Sequence, residues 1–409
     1  MNQRATRRVM TVMWMHPPFA ACLTDLCAAC APPGVGRQPT RCKRARITRT
    51  LPVGCWFDMS VPHLFCMGNP LLDISSEVPM SFVEKHGLKL NNAILAGAEF
   101  APFFEELVKT FPVEYVAGGA TQNSARVFKW MSQGQATVSY CGCIGMDDFG
   151  KQLDKQARQD GVDVQYLISE TEPTGSCGVL VHNAERSLVA RLGAAEKYSF
   201  SHLESPAIQA LMQKASHFYI SGFFMTHSHE SILKVAQHAC AANKVMCMNT
   251  SATFLWEVPF LFGLFNQLMP FIDILFGNES EALSASKAYA FGTEVVSEIA
   301  ARIAKLPKTN SARGRIVVIT QGSDPTIIAA ADAAGNVTVT LEPVQKIPKS
   351  CIVDTNGAGD SFVGGFLSSL VQGSDLSRCA AAGAYCGGMM VQRSGCSLPP
   401  RTGVFCQPF

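Results

Sequence analysis

From about residue 64 the chain falls into short apolar runs separated by longer stretches with helical spacing. Residues 64–67 form one such run. It ends at Gly68-Asn69-Pro70, and 71–74 continues the strand beyond that turn. Residues 103–110 carry the helical period. Residues 113–116 read as a strand followed by Gly118-Gly119, and 123–131 as a helix. A β-rich run at 137–144 precedes an amphipathic helix at 149–160 that closes at Gly161. Segments 177–182 and 187–192 predict a hairpin joined through Asn183-Ala184-Glu185-Arg186. Strands then follow at 217–220, 245–248, 273–276, 316–320, 325–330 and 337–341. Helices fall at 230–243, 279–289, 360–371 and 376–393. This alternation predicts an α/β fold: a doubly wound, mostly parallel sheet with helices on both faces. Ligands in such folds sit beyond the carboxyl ends of the strands. The turns after Val116, Phe276, Thr320 and Val353 all belong there. The β-rich stretches of the first half break the alternation and predict a small separate sheet, placed to act as a lid.

One run, 258–276, is apolar enough to suggest a membrane span. It contains Pro259, Asn266, Gln267, Pro270 and Asp273, which argue against a lipid-facing helix. A buried helix followed by a buried strand is the better expectation. Residues 1–58 show no sustained period. Their first 50 residues hold nine Lys/Arg against one acid, Asp25. They read as an organelle-targeting peptide or as an unstructured basic extension, translated upstream of a start at Met59. Cys27-Ala28-Ala29-Cys30 is too little by itself for a metal or redox site.

Of the 409 residues, 47% are hydrophobic and 16% charged, a globular composition with ample core. A net charge of +2 gives no pull toward nucleic acid or membrane. No Walker A, HExxH, EF-hand or paired CxxC pattern occurs, which disfavours a P-loop NTPase. The sixteen cysteines are scattered, many of them in apolar runs such as Tyr140-Cys141-Gly142-Cys143-Ile144, and read as reduced core thiols.

The chemistry concentrates at Asp354-Thr355-Asn356-Gly357-Ala358-Gly359-Asp360, which runs into an apolar helix. The amides of Gly357, Ala358 and Gly359 would open that helix without intrahelical partners, at the positive end of its dipole. Such a cup holds phosphate or a developing oxyanion. An acid inside an anion cup makes sense if it takes a proton from an incoming nucleophile. Together these features point to phosphoryl transfer onto a hydroxyl, with Asp360 as general base.

These residues resemble the ribokinase/PfkB family of carbohydrate and nucleoside kinases, and within it the adenosine-phosphorylating branch. The glycine turn with Phe362-Val363-Gly364-Gly365-Phe366 is similar to the family's second signature. Ala117-Gly118-Gly119-Ala120-Thr121-Gln122-Asn123-Ser124 is similar to its first, and Gly68-Asn69-Pro70-Leu71-Leu72-Asp73-Ile74-Ser75 to its opening. Asn278-Glu279-Ser280-Glu281 resembles its NxxE segment. The resemblance covers about 61–409 and implies a ribokinase-like domain over 59–409. It implies a lid drawn from about 73–116 and 175–195, and a monomer in the cytoplasm, with the nucleus as a second compartment.

It also implies adenosine and ATP as substrates and Mg²⁺ held mainly through water by Asn278 and Glu281. Asn69, Asp73, Gly118, Gly119 and Asn123 would bind the ribose. Phe223, with Phe224 as the alternative, would stack on the base, and Leu188 and Ala190 would line the lid side. Asn356 would touch base or anion hole. Arg186 would reach the transferring phosphate from the hairpin turn. Asn278, Thr320, Gln321, Gly322, Gly357 and Gly359 would contact ATP. Ala93 and Ala120 stand where relatives often carry Gln and Ser, which bears on base affinity. His227 and His229 read as solvated loop histidines, and Cys141 and Cys143 as core. The rivals are a kinase for another nucleoside or sugar, and a non-catalytic nucleoside-binding protein on the same fold.

Overall fold

A computed structural model describes residues 61–400 except 91 and 184. The extension at 1–58 lies outside the described residues. Fourteen strands are described: β1 His63–Met67, β2 Leu71–Glu77, β3 Asn92–Leu95, β4 Glu114–Gly118, β5 Thr137–Gly145, β6 Asp163–Ser169, β7 Ser176–His182, β8 Glu185–Arg191, β9 His217–Ser221, β10 Val245–Asn249, β11 Ile274–Asn278, β12 Ile316–Gln321, β13 Asp324–Ala331 and β14 Val337–Glu342. Nine form one sheet in the order β14-β13-β12-β11-β10-β9-β1-β5-β6. It is parallel from β12 to β6, and β13 and β14 add antiparallel at one edge. The central strands are buried on both faces, so they read as unbroken apolar runs; every residue of β1 is buried. One core layer packs the helices Met225–Ala241, Glu279–Ala288 and Val296–Ala304 on one face. The other packs Ala120–Ser132, Ala358–Leu370 and Leu376–Met390 on the opposite face.

The remaining strands make a second sheet, β3-β8-β7-β2-β4. One of its faces covers a small core with the helices Met80–Lys85 and Ala101–Thr110. The expectation that β2 continues β1 is not met, for the two lie in different sheets. The chain changes sheets at Gly68-Asn69-Pro70, and β2 pairs with β4 and β7. The reason lies at Gly68, where a Cβ would stand 2.5 Å from Thr121 Oγ1, so the chain turns close under the helix Ala120–Ser132.

Two further expectations change. The β7–β8 ladder runs to the pair His182–Glu185, with Asn183 beyond it at φ 49, so Arg186 lies within β8 opposite Val181 rather than in the turn. The helix Pro259–Leu268 is not buried. Phe265 and Leu268 are buried, Leu261, Phe262 and Leu264 pack half-buried against the core, and Phe260 is 71% exposed. High overall apolarity concealed a surface helix with one inward edge. Among the described residues no helix is long and apolar enough to cross a membrane.

Candidate active site

The glycine turn is fixed before its helix begins. The Val353 and Asp354 amides both donate to the Val391 carbonyl, at 2.8 and 3.1 Å. The buried Asp354 carboxylate accepts from the Asn356 and Gly395 amides, each at 2.9 Å. Gly357 then takes φ 72, a left-handed value that costs glycine little. The helix Ala358–Leu370 starts there with Asp360 in its first turn. The expected cup is smaller by one donor, because the Ala358 amide donates to the Thr355 carbonyl at 3.3 Å. The amides of Gly357 and Gly359 have no partner among the described residues. A Cβ on Gly359 would meet nothing within 4 Å, so the space above it is open.

Asp360 is half-buried. Its Oδ2 accepts from Asn123 Nδ2 at 3.0 Å, and its carbonyl accepts from Ser124 Oγ at 2.9 Å. This contact needs close helices. A Cβ on Gly364 would stand 2.6 Å from the Ser124 carbonyl, so only glycine lets Ala358–Leu370 lie against Ala120–Ser132. Burial pushes the Asp360 carboxyl up to about 6; the Asn123 bond opposes that rise and the Glu281 charge adds to it.

Asp73 lies buried on β2, and its carboxylate accepts no hydrogen bond from the protein among the described residues. Burial raises its carboxyl to about 7, against the pull of Arg126 and with the push of Asp360 and Asp354. A Cβ on Gly118 would stand 2.4 Å from the Asp73 carboxylate, and one on Gly119 2.1 Å from the Asn69 carbonyl. These glycines therefore let the Asp73 carboxylate and the Asn69 carbonyl approach the backbone closely. Asp73 pairs with Cys177, and Cys177 with Ala190. That row and the next, with Leu188, put both residues on the Asp73 face of the small sheet.

The two phenylalanines separate clearly. Phe224 is fully buried in the core, whereas Phe223 is 37% exposed beside Phe254, with ring centroids 6.3 Å apart. Asn278 caps the helix Glu279–Ala288 in a reciprocal capping box with Glu281, and it pairs with Thr320 across β11 and β12. The Thr320 hydroxyl donates to the Gly277 carbonyl at 3.3 Å, and Gln321 Nε2 to the Pro325 carbonyl at 2.6 Å. Gly322, at φ 58, faces open space. Glu281 accepts from Thr250 Oγ1 and from the amide and side chain of Asn278. Burial still raises its carboxyl above the usual range. Among the described residues no three acids, histidines or cysteines converge as a metal cage. Glu281, its oxygens already bonded, fits a cation only at a distance, through water.

Several residues escaped the sequence reading. Arg126 is buried, bonds Asp160 at 2.6 Å and the Cys396 carbonyl at 3.0 Å, and also donates to the Ala117 carbonyl, so it ties the end of β4 to the segment whose Gly395 amide braces Asp354. Periodicity hid it, since a cation inside a helix face reads as solvated. His227 and His229 are not solvated loop residues. They lie half-buried in the helix Met225–Ala241, and His227 Nε2 is 2.9 Å from Asn69 Oδ1 while His229 Nε2 is 3.1 Å from the Leu264 carbonyl. The Phe223-Phe224 shoulder preceding them was the available signal. Cys141 and Cys143 are core, as expected. The side chain of Arg186 lies outside the described part.

The pfkB family carbohydrate kinase model matches residues 80–402. Adenosine kinase 1 and adenosine kinase 2 of Arabidopsis thaliana are 46% and 47% identical over 338 residues, 83% of this chain and 96% of each relative. The crystal structure of Anopheles gambiae adenosine kinase in complex with P1,P4-di(adenosine-5) tetraphosphate matches with a TM-score of 0.75 at 45% identity, covering 81% of this chain and 96% of that one. On fold, signatures and similarity together, the chain belongs to the pfkB family of carbohydrate kinases, on its adenosine kinase branch.

Proposed function

We propose that this chain transfers the γ-phosphoryl group of ATP to the 5'-hydroxyl of adenosine, giving AMP and ADP. The observation that carries this reading is Asp360, a carboxylate with its pKa raised to about 6, set beside the free Gly357 and Gly359 amides. Above that pH it is ionised and can take the hydroxyl proton as the oxygen attacks. The two amides stabilise charge on the transferring group. Asn123 orients the Asp360 carboxylate and contributes to the ribose site. Asp73 accepts the two remaining ribose hydroxyls, which suits a buried carboxylate with no protein donor. Phe223 stacks on the base, with Leu188 and Ala190 facing it from the small sheet, which acts as a lid. Thr320, Gln321, Gly322 and Asn278 hold ATP.

Glu281 and Asn278 would hold Mg²⁺ through water, and the ion would neutralise charge on the phosphates. Arg186 is assigned to the phosphate by family resemblance and by its position on β8. The bound molecule of the Anopheles relative supports the site's extent, for it carries adenosine at both ends of a four-phosphate chain.

The test is ADP release with ATP and Mg²⁺ against adenosine, inosine, guanosine, ribose and fructose, with the product identified by mass. Adenosine should be preferred and AMP should appear. Preference for a sugar, or tight nucleoside binding without turnover, overturns the assignment.

A further inference from the structure

The Thr226-His227-Ser228-His229 segment has no part in the reaction above, yet His227 reaches the proposed nucleoside pocket. Asn69, in the turn between β1 and β2, is 7% exposed, and its Oδ1 lies 2.9 Å from His227 Nε2. The other ring nitrogen, Nδ1, lies 2.9 Å from Ser228 Oγ. The imidazole also packs edge-on against the buried Phe224 ring, with centroids 5.2 Å apart. At Ser228 the helix Met225–Ala241 leaves helical backbone values (φ −126, ψ 32), and this buried serine turns its hydroxyl onto the ring. Burial lowers the His227 pKa to about 4, so the ring is neutral near pH 7.

A neutral imidazole has one donor and one acceptor. An amide oxygen only accepts, so Nε2 carries the hydrogen and donates to Asn69 Oδ1. Nδ1 then accepts from the Ser228 hydroxyl. With Asn69 Oδ1 facing Nε2, the chain Ser228–His227–Asn69 runs in one direction, and a flip of the Asn69 carboxamide would require the ring to change tautomer and the Ser228 hydroxyl to reverse. Its Nδ2 has no hydrogen-bond partner among the described residues and is not sealed from solvent. Its backbone is held as well, because Gly119 lies against its carbonyl.

We propose that His227 is a positioning residue: it fixes the Asn69 side chain so that the amide N–H₂ group, and not the carbonyl, meets an acceptor atom of the bound nucleoside. This rests on the reading of the site as a nucleoside pocket. It gives the chain a determinant of nucleoside affinity one shell away from the ligand.

The test measures adenosine KM, kcat and thermal unfolding in the full chain. His227→Ala should raise adenosine KM about three- to ten-fold, the scale of one hydrogen bond, with kcat changed by less than about two-fold. His227→Gln, whose amide N–H can donate to Oδ1, should recover most of that loss. Asn69→Ala should raise KM, and adding His227→Ala to it should then have no further effect. Asn69→Asp keeps the acceptor for His227 but removes the N–H₂ group, so it too should lose affinity. Ring ¹⁵N spectra should show the Nε2-protonated tautomer. A His227→Ala variant that loses thermal stability at unchanged KM overturns the proposal, as do additive effects in the double variant or an Nδ1-protonated ring. If Asn69→Ala leaves adenosine KM unchanged, the pocket assignment itself fails and takes the proposal with it. A KM effect at Asn69 with none at His227 overturns the proposal alone.

Discussion

The two ends of strand β11 treat buried charge in opposite ways. At the amino end Asp273 is 3% exposed and bonds Lys308 at 2.6 Å, with Arg313 at 3.5 Å and the Met246 amide donating at 2.8 Å. Next to it the buried Arg315 guanidinium donates to the carbonyls of Ile272, Ile303, Leu306, Met269 and Pro307. Charge is matched there by protein alone. At the carboxyl end Glu281, Asp360 and Asp73 make no ion pair with any described residue, and the Gly357 and Gly359 amides are left unbonded. Burying unmatched charge is costly. A fold that retains it at one end only has set that end aside for something that arrives later. The difference separates an end whose charges the protein matches itself from the end that carries the proposed site.

The sharpest way to break this comparison is at Asp360. Asp360→Asn removes the base but keeps the size and the bond to Asn123, so kcat should fall by about 10²- to 10⁴-fold while adenosine binding stays near the original. Steady-state kinetics with equilibrium binding of adenosine reads both. In the unaltered chain, kcat should rise with pH through about 6, the value to which burial brings this carboxyl. Near-normal turnover in the variant would remove Asp360 from the reaction.

The matched end should answer differently. Asp273→Asn leaves the buried Lys308 without its counter-charge, and stability should drop by about 3–5 kcal/mol in denaturant unfolding. The kcat of the folded fraction should not change. A loss of kcat at full stability would show that the amino end is not mere scaffold.

How much of this was legible in the sequence follows the same division. The large sheet was readable because strands such as β1 are unbroken apolar runs, and the glycine turn because Gly357 and Asp360 are unusual company. β3 was not readable, being four residues long, and neither was β6, an edge strand whose polar and apolar residues mix. Matched charges were invisible: Asp273 and Lys308 lie 35 residues apart in sequence, and Arg126 reaches 270 residues to Cys396. Asp73 and Gly118 were both singled out, but that one residue's carboxylate fills the space over the other needs coordinates. Phe223 and Phe224 are equivalent as letters and opposite in burial. The partner of His227 was hidden too, because Asn69 lies 158 residues away in the turn after β1. Local pattern carries elements and unusual turns, whereas long-range pairings of polar groups do not repeat and leave no period to read.

The smallest effect is the most specific. Asp73 has a folded-state pKa raised to about 7 from an ordinary 3.8, with burial as the main cause. A raised value means that the folded chain holds this proton more tightly than the unfolded chain. The resulting stability is fully present below about pH 4 and is lost as pH rises through about 7. Asp73→Asn, which never ionises, should therefore match the unaltered chain near pH 4 and exceed it above pH 7, by about 1–3 kcal/mol. The same substitution should raise adenosine KM about ten-fold or more, since a charged acceptor for two hydroxyls is lost. Thermal unfolding from pH 4 to 8 beside adenosine kinetics reads both effects. A pH-independent stability difference would mean that Asp73 is already matched like Asp273, and the contrast between the two ends of the sheet would not hold. A difference that grows with pH while affinity falls would mean that the unpaired charge at this end lowers the stability of the empty protein and raises its affinity for nucleoside.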